Sequence, residues 1–206
     1  MLTRNDIDRR QLADGIEVWI VQFGSLGNIN TAFIDRATNT VVLVDPYSGK
    51  KWLSALKSEN LTPTHIIVTH THRDHTAGIQ YLMKSCPEIE LWGHEKSNYP
   101  KILSRPLFKQ LNYTHYWNHP PHTSEEWKAG GITLQATHTP GHAPGHLTFH
   151  GHGVFHAGDL LFTQRSGRVD LPGGDPEMHW KSVSLPRQIL SNFPAEWRLI
   201  PGHNYE

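Results

Sequence analysis

The chain has 206 residues, in which 19 lysines and arginines balance 19 aspartates and glutamates, and it carries 16 histidines. A formal net charge of zero excludes proteins that hold nucleic acid or anionic membranes through an excess of basic residues. A hydrophobic share of 37% with seven tryptophans excludes a disordered chain, and we expect residues 1–206 to form a single domain around one core.

The N-terminal region gives no sign of export. Residues 1–15 lack the apolar core of a signal peptide, and the aliphatic run at residues 41–44 is too short to span a bilayer. The single cysteine, Cys86, has no partner for an internal disulfide. We therefore expect a cytoplasmic protein without a nucleic-acid or membrane partner.

The first half of the chain alternates strands with helices. β-Branched and aromatic runs predict strands at residues 16–23, 29–35, 40–45 and 65–68, and a further strand at 88–92. The spacing of the apolar residues predicts helices at 50–58 and 76–84. Residues 92–128 are rich in aromatic side chains and prolines, and we expect a partly helical, aromatic surface there.

The second half repeats this alternation. Strands are predicted at residues 132–136, 147–150, 154–156 and 197–200, and a helix over 177–190, in which Pro186 favours a kink. Strands mixed with helices in both halves indicate a layered α/β architecture with helices on the outer faces of the sheets.

Four candidate metal ligands follow the strand at 65–68, namely His70, His72, Asp74 and His75. On an extended segment His70 and His72 point to the same side, and a turn through Asp74 and His75 brings a second pair round. One segment can thus serve two adjacent ions. Nitrogen and carboxylate ligands without cysteine favour zinc, with manganese and iron as alternatives.

Three further candidate ligands lie in glycine or proline turns after predicted strands: His142, Asp159 and His203. Loops at one edge of a rigid sheet are a common place for a site. We expect other histidines near these turns to hydrogen-bond the ligands from behind, namely His65, His138, His146 and His156.

The ordered motifs HTHRDH at 70–75, TPGHAPGH at 139–146, GD at 158–159 and PGH at 201–203 resemble those of the metallo-β-lactamase-fold hydrolases. The resemblance implies an α/β (α+β) fold, a four-layered αβ/βα sandwich with a dinuclear metal site at the sheet edges. It also implies a ligand set in which Asp159 bridges two ions, the first held by His70, His72 and His142 and the second by Asp74, His75 and His203.

Such a centre suits hydrolysis. Two divalent cations and two carboxylates leave a formal positive charge that favours hydroxide over water, because metal binding lowers the pKa of water from 15.7 to about 7. The same cations can polarise a carbonyl oxygen and stabilise an oxyanion. Asp74 is the carboxylate best placed to orient the hydroxide, so we expect it to be catalytic as well as a metal ligand.

Residues 158–162, 167–175 and 201–205 narrow the resemblance to the glyoxalase II-like branch, whose best-known activity is hydrolysis of hydroxyacylglutathione thioesters. This resemblance implies attack of metal-bound hydroxide on a small thioester, with release of a thiol and a carboxylic acid. It also implies that Arg168 binds the glutathione portion of the substrate. The alternative for Arg168 is an ion pair with Asp170 that braces the loop.

Two features depart from this branch. We expect the chain to lack the C-terminal helical region that contributes glutathione contacts, and residues 169–171 replace a tyrosine-containing sequence. Three alternatives therefore stay open: a mononuclear-iron persulfide dioxygenase, a lactonase or β-lactamase-like hydrolase of the same fold, and a non-catalytic metal-binding module. Ligation by nitrogen and oxygen with room for water argues against the last, because structural zinc sites are usually closed.

Overall fold

Two β-sheets pack face to face in the computed structural model, which describes residues 6–12, 14–98, 111–192 and 194–205. The first sheet has seven strands that lie side by side in chain order. Its first four strands pair antiparallel, and the pairs from β4 to β7 are parallel. These strands are β1 (Asp8–Gln11), β2 (Ile16–Phe23), β3 (Asn28–Asp35), β4 (Thr40–Val44), β5 (His65–Ile67), β6 (Glu90–His94) and β7 (His115–Trp117).

The second sheet has five strands in the order β12-β11-β10-β9-β8. Its neighbours pair antiparallel except β11 and β12, which are parallel. The strands are β8 (Ser124–Ala129), β9 (Ile132–His138), β10 (Leu147–Gly151), β11 (Val154–Gly158) and β12 (Arg198–Pro201).

Helices cover the outer sides of the two sheets. Helix α1 buries Trp52, Leu53 and Leu56, the apolar stripe that its sequence predicts. The last helix is capped by Asp175, which accepts a hydrogen bond from the Met178 N–H. The helices of the described residues are α1 (Gly49–Lys57), α2 (Arg73–Thr76), α3 (Ile79–Ser85), a short 3₁₀ helix (Glu95–Ser97) and α4 (Pro176–Leu190).

Strand β4 shows how the layers are held together. Successive side chains of a strand point to opposite faces. Val41 and Leu43 therefore pack on one side with helices α1 and α3, while Val42 and Val44 pack between the two sheets. All four side chains are fully buried. The predicted four-layered α/β sandwich is thus confirmed, with a helical layer outside each sheet.

Some predicted elements were wrong. The helix predicted over 76–84 is α3, which begins only at Ile79, because the Gly78 N–H donates to the Pro46 carbonyl oxygen at 2.9 Å and so does not continue the helical hydrogen bonds of α2. Within the partly helical aromatic surface predicted for 92–128, the described residues form the 3₁₀ helix and strands β7 and β8. Trp117 and Trp127 are buried between the sheets, so these two rings belong to the core and not to a surface. Residues 99–110 of this predicted surface lie outside the described residues.

No helix in the described ranges is long and apolar enough to cross a membrane.

Candidate metal centre

The candidate ligands lie just beyond the carboxyl ends of strands from both sheets. Four of them follow β5, and the other three follow β9, β11 and β12. The structure brings all seven together in two groups whose candidate ligand atoms lie within 4.8 Å of one another. The first group is His70, His72, His142 and Asp159, and the second is Asp74, His75 and His203.

The backbone fixes the orientation of two of these imidazoles. His142 Nδ1 donates to the carbonyl oxygen of Arg168 at 2.7 Å, and His203 Nδ1 donates to that of Leu26 at 2.9 Å. A carbonyl oxygen can only accept, so the proton of each ring is on Nδ1. The lone pair of each Nε2 therefore points into the centre.

Asp45, which directly follows β4, fixes two further rings from behind. Its buried carboxylate accepts hydrogen bonds from His75 Nδ1 at 2.8 Å, from Thr69 Oγ1 at 2.6 Å and from the Thr69 N–H at 2.8 Å. The Thr69 hydroxyl, having donated to Asp45, accepts from His70 Nδ1 at 2.9 Å. One carboxylate thus orients His75 directly and His70 through Thr69, one ring in each group.

The spacing within the first group suits a metal ion. His72 Nδ1 lies 2.9 Å from His70 Nε2 and 2.9 Å from His142 Nε2, and His142 Nε2 lies 3.3 Å from Asp159 Oδ2. A tetrahedral zinc ion with bonds of 2.0–2.1 Å has its ligand atoms about 3.3 Å apart. The lone pairs of His70 Nε2 and His142 Nε2 both face His72 Nδ1 at such distances, an arrangement that a cation between the three nitrogens would satisfy.

The second group repeats this spacing and shares Asp159 with the first. His203 Nε2 lies 3.2 Å from Asp74 Oδ2 and 3.2 Å from His75 Nε2. Asp159 Oδ1 faces this group, 3.3 Å from His75 Nε2 and 3.5 Å from His203 Nε2, while its Oδ2 faces the first group. Each oxygen of Asp159 thus serves one group, as a bridging carboxylate requires.

Electrostatics also fit a cationic occupant. Burial acts to lower the pKa of His75, but the charges of Asp159 and Asp45 outweigh it and raise that pKa well above the usual value. Burial acts to raise the pKa of Asp159, yet the surrounding histidines, His75 foremost, hold it well below its usual range. Burial lowers the pKa of His72 to about 3, so this ring is neutral and can act as a ligand. The donor set therefore fits divalent metal ions.

Further residues hold the ligands in place, and the sequence pointed to only some of them. Asn28 Nδ2 donates to Asp74 Oδ2 at 3.0 Å, and His146 Nε2 accepts from the Asp159 N–H at 3.1 Å. Gly202 leaves room for the Asp159 carboxylate, because a Cβ there would lie 2.2 Å from Asp159 Oδ1. A supporting role was expected for His146, whereas Asp45 and Asn28 were missed because their partners are distant in sequence.

A cavity of about 620 Å³ opens above the ligand groups. Leu26, Tyr47, Phe162 and Leu171 give it an apolar side. Arg168 also lines it, but its guanidinium donates to both oxygens of Asp170, at 2.7 and 2.6 Å, and its side chain is 63% exposed. The alternative ion pair is therefore present, and substrate binding by Arg168 stays a prediction.

The fold and this constellation agree with the comparison to protein families. Residues 24–203 match the family described as the metallo-beta-lactamase superfamily, and the chain belongs to this family. The match spans both ligand groups, from the loop before Asn28 to His203.

Among individual proteins, the chain is similar to the hydroxyacylglutathione hydrolase of Aeromonas salmonicida, with 30% identity over 178 residues. That alignment covers 85% of this chain and 61% of the relative, so the chain spans about three fifths of the length of the curated relatives it matches.

Solved structures give the same picture. The crystal structure of the BLEG-1 B3 metallo-beta-lactamase superposes with a TM-score of 0.75 at 25% identity, covering 91% of both chains. A di-iron-bound form of TTHA1623 superposes with a TM-score of 0.68 at 27% identity, covering 90% of this chain and 91% of that one.

Proposed function

We propose that this chain is a metal-dependent hydrolase of small thioesters. The observation that carries the proposal is the convergence of seven nitrogen and carboxylate ligands, in two groups that share Asp159, on a cavity with an apolar side. The relative from Aeromonas salmonicida, named a hydroxyacylglutathione hydrolase, supports a hydroxyacylglutathione-type substrate.

Under this proposal the residues divide between two divalent ions, most simply zinc, since all the donors are nitrogen or oxygen. Bound ions of this kind supply hydroxide near neutral pH and polarise the carbonyl that is attacked. Asp159 would contribute one carboxylate oxygen to each ion. The first ion would take His70, His72 and His142, and the second would take Asp74, His75 and His203.

Asp74 has a second task in this scheme. Its side chain is 26% exposed and lines the cavity, whereas that of Asp159 is 8% exposed. Asn28 and His203 hold Oδ2 of Asp74 in place. Asp74 is thus the more accessible carboxylate of the centre, and it can orient the attacking oxygen by accepting a hydrogen bond from it.

Different walls of the cavity would contact different parts of the substrate. The apolar side chains at Leu26, Phe162 and Leu171 exclude water from the reacting carbonyl, which strengthens electrostatic interactions there. We assign Arg168 to the polar, thiol-bearing part of the substrate, in competition with its pairing to Asp170.

The test combines metal analysis with turnover. The purified protein is assayed for metal by mass spectrometry and for thiol release from a lactoyl thioester of glutathione, beside a His142→Ala variant. Two equivalents of a zinc-like metal and turnover, both reduced in the variant, support the proposal. One iron per chain with oxygen consumption on glutathione persulfide would instead identify a dioxygenase, and full turnover in the variant would refute the ligand assignment.

A second candidate function is hydrolysis of a β-lactam ring, favoured by the similarity to the BLEG-1 B3 metallo-beta-lactamase over 91% of the chain. The same preparation is tested on a chromogenic cephalosporin. The kcat/KM ratio between the thioester and the cephalosporin decides between the two substrates.

A further inference from the structure

We propose that Arg165 is a specificity-determining residue that binds a carboxylate on the thiol portion of the substrate. This inference rests on the proposed function and deepens it, because it requires the thioester to be anionic away from its reacting carbonyl.

Three arginines line the cavity, but they are not equivalent. Arg168 is already paired with Asp170 through two hydrogen bonds. In the part of the chain that the structure describes, neither Arg73 nor Arg165 has a carboxylate within ion-pairing distance. The cavity thus presents two cations that have no carboxylate partner among the described residues. A neutral substrate would provide neither of them with an ion pair.

Arg165 is held in position by its neighbours rather than by an opposite charge. It sits in a tight turn closed by a bridge between Leu161 and Ser166, and its carbonyl accepts from the Phe162 N–H at 2.8 Å. Its guanidinium carbon lies 5.5 Å from the ring centroid of Tyr205. A cation over an aromatic face at this distance is attracted by the ring.

Tyr205 connects Arg165 to the metal centre. Its ring is stacked on that of His203, with centroids 5.0 Å apart and an interplanar angle of 12°. Two contacts, of 5.0 and 5.5 Å, thus link the candidate ligand His203 to Arg165 through the ring of Tyr205. A substrate whose carbonyl lies at the centre can extend a flexible thiol portion along this row to the guanidinium.

A carboxylate is the group that this guanidinium fits best. The planar fork of arginine donates two parallel hydrogen bonds to a carboxylate, and such charge-assisted bonds are stronger than neutral ones. Because Arg165 has no ion pair to break among the described residues, unlike Arg168, it can bind the ligand without first giving up a partner. Arg165 is therefore the better placed of the two to recognise the anion.

The test compares Arg165→Gln with Arg187→Gln, which removes the same charge from an exposed position on α4 away from the cavity. Each variant is assayed with a glutathione thioester and with the same thioester esterified at both carboxylates. We expect Arg165→Gln to raise KM about tenfold for the free acid and to leave kcat within about twofold. KM for the esterified substrate and all constants of Arg187→Gln should stay unchanged.

An equal KM change for the free acid and the ester, or no change in either, would overturn the proposal. If the wild-type protein hydrolyses no thioester, the proposed function fails and the carboxylate site is judged by calorimetry with free glutathione and its diester. Binding of glutathione that weakens in Arg165→Gln but not in Arg187→Gln supports the site. Absence of glutathione binding to the wild-type protein would overturn it.

Discussion

Replacing Asp45 by asparagine tests the arrangement behind the ligands. The carboxylate accepts three hydrogen bonds, one from His75 and two from Thr69, and it has no exposure to solvent. Asparagine keeps one acceptor oxygen and replaces the other by an NH₂ donor. If that oxygen stays with the Thr69 N–H, the amide meets His75 Nδ1, donor against donor. His75 must then carry its proton on Nε2, which removes the lone pair that faces Asp159.

The size of the effect follows from this geometry. Losing an outer partner of a ligating histidine typically reduces metal affinity 10- to 100-fold. Asp45 supports one histidine of each group, His75 directly and His70 through Thr69, and no solvent can reach the position to replace it. We therefore expect the upper end of that range, about 100-fold, which corresponds to about 2.7 kcal/mol.

The assay is competition for zinc with a chelating indicator, with circular dichroism to verify folding. Asp35→Asn is the matched control: Asp35 is also buried and accepts hydrogen bonds from Thr38 and Gly131, but it lies at the opposite end of the first sheet. We expect normal zinc affinity in the control. Zinc affinity of Asp45→Asn within about twofold of wild type would refute the reasoning.

The other predictions concern the bridge, acid stability and the cavity rim. Asp159→Ala should leave the fold intact but weaken both metal sites, because each oxygen serves one group; wild-type metal content would contradict this. Burial holds the pKa of the stacked His94 and His138 at about 3 and about 4 in the folded protein. Below pH 6.5 these two histidines are therefore protonated in the unfolded chain but still neutral in the folded one. The free energy of unfolding should therefore decrease between pH 7 and 5, and His138 alone should account for about 2 kcal/mol of that decrease. Urea titrations of His138→Gln should show a pH dependence that is smaller by this amount. Asp170→Asn frees Arg168 and should lower KM for an anionic thioester about two- to threefold with an unchanged Tm; an unchanged KM would favour the bracing role.

Most of the strands that sequence patterns predicted are interior strands of their sheets; the edge strand β12, predicted at 197–200, is the exception. Strands β2, β3 and β4 are buried on both faces or nearly so, and their β-branched runs are evident. Strands β1, β7 and β8 lie at sheet edges. Strand β8 buries only Trp127 and Ala129 among polar neighbours. An edge strand with one solvent-exposed face carries so few apolar residues that its alternating hydrophobic pattern is hard to recognise in the sequence.

The candidate ligands could be predicted because they are chemically distinctive and follow strands directly. Their supports could not. Asp45 before Pro46 has the pattern of an ordinary strand end, and its partner Thr69 lies 24 residues further along. Asn28 meets Asp74 across 46 residues. Such roles depend on which loops the fold brings together, and local sequence contains no record of that.

The candidate ligands are divided between the two sheets. His70, His72, Asp74 and His75 extend from the first sheet, and His142, Asp159 and His203 from the second. With the proposed ligation, each ion would be bound by residues from both sheets, so the sheets could not separate without releasing it. Metal binding energy then becomes folding energy, and every tenfold increase in free metal above Kd adds about 1.4 kcal/mol per site. The melting temperature of the protein would thus rise with the concentration of free metal and could be used to measure it.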